Sequence, residues 1–305
     1  MKIGVSNIYN CDEKDQFKYL KDCGFDGCDF VMNQYFSPSG RMGDIYEVTD
    51  EQIKEHFMWL KELADEAEFE ILQVHSAGSG LPKNYARGED EILRRVNASI
   101  QAAHYLGTKY VVTHPYIHPQ RKYDKNEELS IQMAVDFYKR YIPALEKYDM
   151  YCCIENMFHR GNVHKHIVPT IISRANEIVR VCDECGDRFK ICLDVGHALL
   201  TEDDPVEYVR ICGDRLVCLH THDNDGINDL HTFPYCAQGK PPKLEPFRVD
   251  WTAFMQALKE IGYKGDLSFE ISAPGPWEIK SAGLRYLAAI GRHLGNIFDS
   301  YEVEK

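Results

Sequence analysis

The 305-residue chain is 44% hydrophobic and 27% charged, ordinary for a globular protein with enough length to bury a substantial core. A formal net charge of −13 argues against a broad phosphate-binding surface and so against a nucleic-acid partner, although a local cation cluster can sit on an acidic protein. The N-terminus reads straight into a strand with no export signal, and no run nears the roughly 18 apolar residues of a membrane span, so a cytoplasmic protein without a membrane partner is expected.

Strand one is Lys2–Asn7, and the helix after it, Asp12–Cys23, is stopped by Gly24. Strand two, Gly27–Met32, leads into a polar loop to Val48. Thr49 then reads as an N-cap, with Gln52 three residues on, opening an amphipathic helix through Phe57, Leu60, Leu63, Ala64 and Ala67. Strand three ends at His75, and a Gly-rich loop precedes a helix over Glu89–Leu106 that Gly107 closes. Strand four ends at His114, and a long helix over Asn126–Tyr148 follows, kinked at Pro143. Strand five ends at Glu155, and its loop carries Arg160, His164 and His166. A helix over Pro169–Cys185 precedes strand six, which ends at Asp194. A short helix over Pro205–Cys212 leads to strand seven, ending at His220. A structureless segment, Asp223–Arg248, comes next; Asp250 then caps a helix over Trp251–Ile261. Strand eight is Asp266–Ile271, and an amphipathic helix over Glu278–Phe298 closes the chain.

Strands alternating with helices imply parallel strands joined by crossovers. Eight repeats in this length fit a closed (β/α)8 barrel, and no GxGxxG or phosphate loop follows strand one, which counts against a nucleotide-binding sheet. No linker or composition shift divides the chain, so residues 1–305 read as a single domain. Six strands end in His, Asp or Glu, and barrel sites sit at the C-terminal strand ends. Alternation puts Cys153, Cys192, Cys218 and Ser268, each two residues before a charged strand end, inside the barrel. Bulky Ile154, Leu193, Leu219 and Phe269 then face the helices. His222, two residues past His220, falls beyond the strand end or on the helix side. The eleven cysteines suit reduced thiols, and Cys182–Cys185 has CxxC spacing without the second pair that a four-ligand zinc site needs.

Carboxylates and imidazoles converging from separate strands suit a divalent cation, Mn²⁺ or Mg²⁺ where oxygen dominates, Zn²⁺ or Co²⁺ as histidines are added. At this point the sequence resembles the xylose isomerase-like, endonuclease IV-like barrel superfamily over nearly its whole length. The resemblance rests on Cys153-Ile154-Glu155-Asn156, on Leu193-Asp194-Val195-Gly196-His197, on His220-Thr221-His222-Asp223-Asn224-Asp225-Gly226, on Asp229-Leu230-His231 and on Glu270. Sugar isomerases and epimerases of that superfamily bind one metal through positions that fall on Glu155, Asp194, His220 and Glu270. The endonuclease IV branch adds ligands that fall on His75, His114, His197, Asp229 and His231, so the resemblance implies one to three ions.

The preferred expectation is a metal-dependent sugar or sugar-phosphate isomerase or epimerase that stabilises an enediolate, with Glu155 and Glu270 as base and acid. His197 joins them as a catalytic candidate; His75, His114 and His197 serve either the metal or the substrate hydroxyls. The alternatives are a trinuclear zinc endonuclease acting on abasic DNA, a related lyase or dehydratase, and a non-catalytic carbohydrate-binding barrel. The rim stretches 33–48 and 223–248 contain few basic residues, which favours a small sugar-like substrate. Long rim loops also leave room for a homodimer.

Overall fold

Eight strands lie side by side in the computed structural model, which describes residues 1–7, 13–78, 86–117, 127–160, 166–236, 249–271 and 277–303. In chain order the strands are β1 Ile3–Ser6, β2 Gly27–Val31, β3 Glu70–His75, β4 Tyr110–Thr113, β5 Tyr151–Glu155, β6 Phe158–Arg160, β7 Ile167–Pro169, β8 Phe189–Asp194, β9 Leu216–His220 and β10 Leu267–Phe269. Apart from β6 and β7 they pair in the order β10-β1-β2-β3-β4-β5-β8-β9, every pair parallel. The remaining seam is closed by a parallel bridge from Thr221 to Phe269, where the Thr221 N–H donates to the Ser268 carbonyl at 2.8 Å. This is the expected barrel.

The helices are α1 Glu13–Asp22, α2 Asp50–Glu66, α3 Gly88–Leu106, α4 Glu127–Lys139, α5 Ile142–Tyr148, α6 Ala175–Cys185, α7 Val195–Leu200, α8 Pro205–Cys212, α9 Trp251–Glu260 and α10 Trp277–Ser300. Local chemistry sets several of their ends. Thr49 and Gln52 form the reciprocal capping box of α2. Gly107 takes the left-handed conformation at the end of α3, with φ of 83°. Asp250 accepts from the Ala253 N–H at 3.0 Å to open α9.

The inner register is as expected. Val112, Cys153, Cys192 and Cys218 form a small apolar cluster within the barrel, and Ser268 is fully buried. Ile154, Leu193, Leu219 and Phe269 belong instead to the large core between sheet and helices. The nine buried cysteines among the described residues form no disulfide, and Cys182 and Cys185 rest their sulfurs on the carbonyls of Lys190 and Val135. No helix among the described residues is long and apolar enough to cross a membrane.

Four local expectations need correction. The helix over Asn126–Tyr148 is two helices, because Pro143 lies in the first turn of α5 and a new start accommodates its missing N–H better than a kink does. The loop after β5 holds an antiparallel hairpin, β6 with β7, so Pro169 ends a strand and the next helix begins only at Ala175. A short helix, α7, starts directly after Asp194, which caps it by accepting the His197 N–H at 2.6 Å. The segment from Asp223 is not wholly irregular either: Asp223 and Thr232 form an antiparallel bridge. His164 and residues 237–248 fall outside the described residues.

Candidate metal centre

Every charged strand end points to the same rim. Glu155, Asp194 and His220 terminate β5, β8 and β9, while Glu270 follows β10 directly. Each of these four offers a ligand atom within 4.8 Å of the others. His220 Nδ1 lies 3.1 Å from Glu155 Oε1 and 3.2 Å from Glu270 Oε2. Glu155 turns its other oxygen to a second group: Oε2 is 3.6 Å from His75 Nε2 and 3.4 Å from His114 Nε2, and the two imidazole nitrogens are 2.9 Å apart. A third group gathers His197, His222, Asp229 and His231, with His231 Nε2 3.1 Å and His197 Nε2 3.8 Å from Asp229 Oδ1. All nine positions singled out in the sequence therefore fall into three adjoining clusters, two of them sharing Glu155.

The imidazoles are oriented from behind. His197 Nδ1 donates to the Asn156 carbonyl at 2.9 Å and His231 Nδ1 to the Glu270 carbonyl at 2.7 Å, which leaves both Nε2 atoms facing Asp229. His231 holds this pose with φ of 47°, in the left-handed region that few side chains other than Asn, Asp and His adopt. Asn156 ties the two neighbouring strand ends together, accepting the Asp194 N–H at 2.7 Å and donating to the Asp194 carbonyl at 2.9 Å. Phe158 of the hairpin packs edge-on against the His197 ring at 5.0 Å. Among the described residues Glu155 Oε2, fully buried, has no aligned hydrogen-bond donor. A buried carboxylate oxygen left unpaired is costly, and a cation is the partner this donor set fits.

Charge is shared across the clusters. Burial opposes ionisation of Glu155 and Asp194, yet the surrounding imidazoles prevail: His220, His114 and His75 hold Glu155 well below its usual range, and His197 and His222 do so for Asp194. Asp229, against its own burial, is held down by His197 and His231. Burial would lower His197, but Asp194, Asp229 and Glu155 raise it to about 10. His231 rises to about 9, mainly through Asp229. His114 goes the other way, to about 4, because burial and the neighbouring imidazoles outweigh Glu155.

Two residues at the site escaped the sequence reading. Asp29 lies fully buried in β2, and its Oδ2 is 2.9 Å from His220 Nε2. His222, expected beyond the strand or on the helix side, turns inward: Nε2 is 3.1 Å from the Asp194 carboxylate, and the ring stacks on His231 at 4.0 Å and 9°. His222 does lie beyond the end of β9, but two residues on from His220 it keeps that residue's inward face, not the helix side. The ring passes over Gly196, where an added Cβ would lie 2.0 Å from His222 Cε1. Gly196→Ala must therefore push out a buried, stacked imidazole. It is expected to lower stability by about 1–3 kcal/mol and to weaken metal retention. Urea unfolding with metal analysis checks this, and a variant with wild-type values in both would show that the His222 ring has room to move.

Together the fold and rim define a parallel (β/α)8 barrel carrying a candidate cation centre at the C-terminal face of its strands. The chain belongs to the xylose isomerase-like TIM barrel family, whose profile matches residues 17–290. The uncharacterised protein MJ1311 of Methanocaldococcus jannaschii is 26% identical over 281 residues, covering 88% of this chain and 83% of that one. Among solved structures, a D-tagatose 3-epimerase-like protein matches with a TM-score of 0.72 at 21% identity, covering 98% of each chain. D-psicose 3-epimerase from Clostridium cellulolyticum H10 matches at 0.69 with 17% identity, over 96% of this chain and 99% of that one. At these identities the likeness to the solved structures is one of fold.

Proposed function

We propose that the protein is a divalent-metal-dependent isomerase or epimerase acting on a small sugar or sugar phosphate. The observation that carries this reading is the meeting of Glu155, Asp194, His220 and Glu270 within 4.8 Å at the barrel mouth. The sugar epimerases among the structural neighbours support it. These four residues would hold the cation, which supplies Lewis-acid stabilisation of the charge that develops on the substrate oxygens as a neighbouring carbon loses its proton.

The protein's own groups do the rest. Glu155, fully buried, and Glu270, whose side chain is 23% exposed, lie 3.1 and 3.2 Å from His220 Nδ1. One carboxylate lifts the proton from the carbon; delivery to the opposite face from the other, which enters protonated, inverts that carbon, while delivery by the first to the adjacent carbon, with a proton passing between the two substrate oxygens, moves the carbonyl. His114, held neutral at physiological pH and partly open, is placed to hydrogen-bond a substrate hydroxyl. The described rim suits a small ligand: residues 223–236 contain no Lys or Arg, and Arg41 is paired with Glu13 at 3.2 Å.

A second reading, phosphoester hydrolysis with two or three ions, is favoured by one observation, the two further clusters around His75 and His114 and around His197, Asp229 and His231. The deciding experiment has two arms. Protein loaded with Mn²⁺, Co²⁺ or Zn²⁺ is expected to exchange solvent deuterium into at least one member of a ketose and ketose-phosphate panel, while an abasic duplex stays intact. Three tightly held zinc ions with duplex cleavage and no exchange would overturn the first reading in favour of the second.

A further inference from the structure

Asp29 has no place in the chemistry described above, yet it is a carboxylate with no exposed surface in the middle of a parallel strand. Burying such a charge without a partner is strongly unfavourable. Among the described residues neither of its oxygens has an aligned hydrogen-bond donor; His220 Nε2 lies 2.9 Å from it, and a ring nitrogen of His75 is also within 4.8 Å. The His220 ring is itself wholly buried and stands between three carboxylates. Asp29 is at Nε2, while Glu155 and Glu270 are both at Nδ1. His220 is thus reversed relative to most of the other imidazoles of the centre. His75, His114, His222 and His231 each turn Nε2 toward a clustered carboxylate, while His197 meets carboxylates through both nitrogens, Nδ1 3.6 Å from Glu155 and Nε2 3.8 Å from Asp229.

We infer that Asp29 is a positioning residue: it takes the Nε2–H of His220 and so presents Nδ1 as the lone pair facing the cation. This rests on the metal-dependent reading. A carboxylate behind a ligating imidazole fixes the tautomer and ring angle and raises the basicity of the ligating nitrogen. The strand geometry holds the pair, since β2 lies two places around the barrel from β10, while β9 brings His220 in across the seam.

The test uses the full chain and Co²⁺. Wild type and Asp29→Asn are titrated against a competing chelator, with the visible Co²⁺ bands recorded and the fold checked by circular dichroism. Asn is of the same size but cannot carry the charge, so Co²⁺ affinity is expected to fall about 10–100-fold, with altered band intensities. Equal affinity and identical bands in a folded variant would overturn the assignment. If Asp29→Asn does not fold, the wild type decides. In a long-range ¹H–¹⁵N histidine spectrum of the Zn²⁺-loaded protein, one ring is expected to be protonated at Nε2 and metallated at Nδ1. Lack of such a ring overturns the inference. Failure of the wild type to bind Co²⁺ or Zn²⁺ at all is a different result, and it strikes the metal-dependent reading itself.

Discussion

Glu155→Gln is expected to lower kcat by about 10³-fold or more at saturating metal, because in the proposed reaction it would remove both a ligand and a proton-transfer group. Glu155 stands where two clusters meet, with Oε1 toward His220 and Oε2 toward His75 and His114. Gln keeps the volume, so packing in the barrel is preserved, but its amide is a poorer ligand and cannot accept a proton from carbon. Glu270→Gln touches only the first cluster. Metal analysis of the two variants after dialysis therefore separates the readings. If one ion serves the enzyme, both variants lose it. If three ions are held, Glu270→Gln keeps two, at His75/His114/Glu155 and at His197/Asp229/His231, whereas Glu155→Gln keeps one. Wild-type exchange activity in Glu155→Gln would remove Glu155 from the chemistry altogether.

How far the site could be read from the sequence depends on where strand geometry stops applying. Glu155, Asp194 and His220 were legible because each closes an apolar run whose alternating members are small on the inside and bulky on the outside. The observed split between the inner cluster of Cys153, Cys192 and Cys218 and the outer core of Ile154, Leu193 and Leu219 follows that pattern. The helix-side expectation for His222 fails on alternation itself: two residues on from His220 a side chain returns to the same inward face, and the chain turning there into the Asp223–Thr232 bridge keeps the ring at the rim. Asp29 did carry a signal, a lone carboxylate inside Gly27-Cys28-Asp29-Phe30-Val31, but a strand ending in Val and Met did not read as part of the rim. The β6–β7 hairpin is built from two three-residue strands, too short for periodicity to detect, and β6 carries His159 and Arg160. For Asp29 the missing information was tertiary: which distant strand end the residue meets.

Removing the cation should leave a protein whose stability depends on pH in a way the loaded protein's does not. In the metal-free centre, protonated imidazoles neutralise the buried carboxylates. His197 and His231 have their pKa values raised to about 10 and about 9. A group raised on folding contributes stability that is complete below its unfolded value, near 6.5 for histidine, and is lost as pH climbs through the folded value. Glu155, Asp194 and Asp229 are shifted the opposite way, so their contribution is present above the usual carboxylate range and disappears on acidification. Metal-free protein is accordingly expected to be most stable between about pH 4.5 and 6.5 and to weaken steadily from pH 6.5 to 10. A divalent ion needs those same nitrogens unprotonated, so its binding releases protons and tightens as pH rises. At a free metal concentration 1,000 times its Kd the bound ion adds about 4 kcal/mol, a rise in Tm on the order of 6 °C for a chain of this size. Thermal melts of chelator-stripped and reloaded protein at pH 6, 7.5 and 9 check this: the gap in Tm should widen at each step. A constant gap, or one that narrows with rising pH, would mean that the imidazoles of this rim do not exchange their protons for a metal.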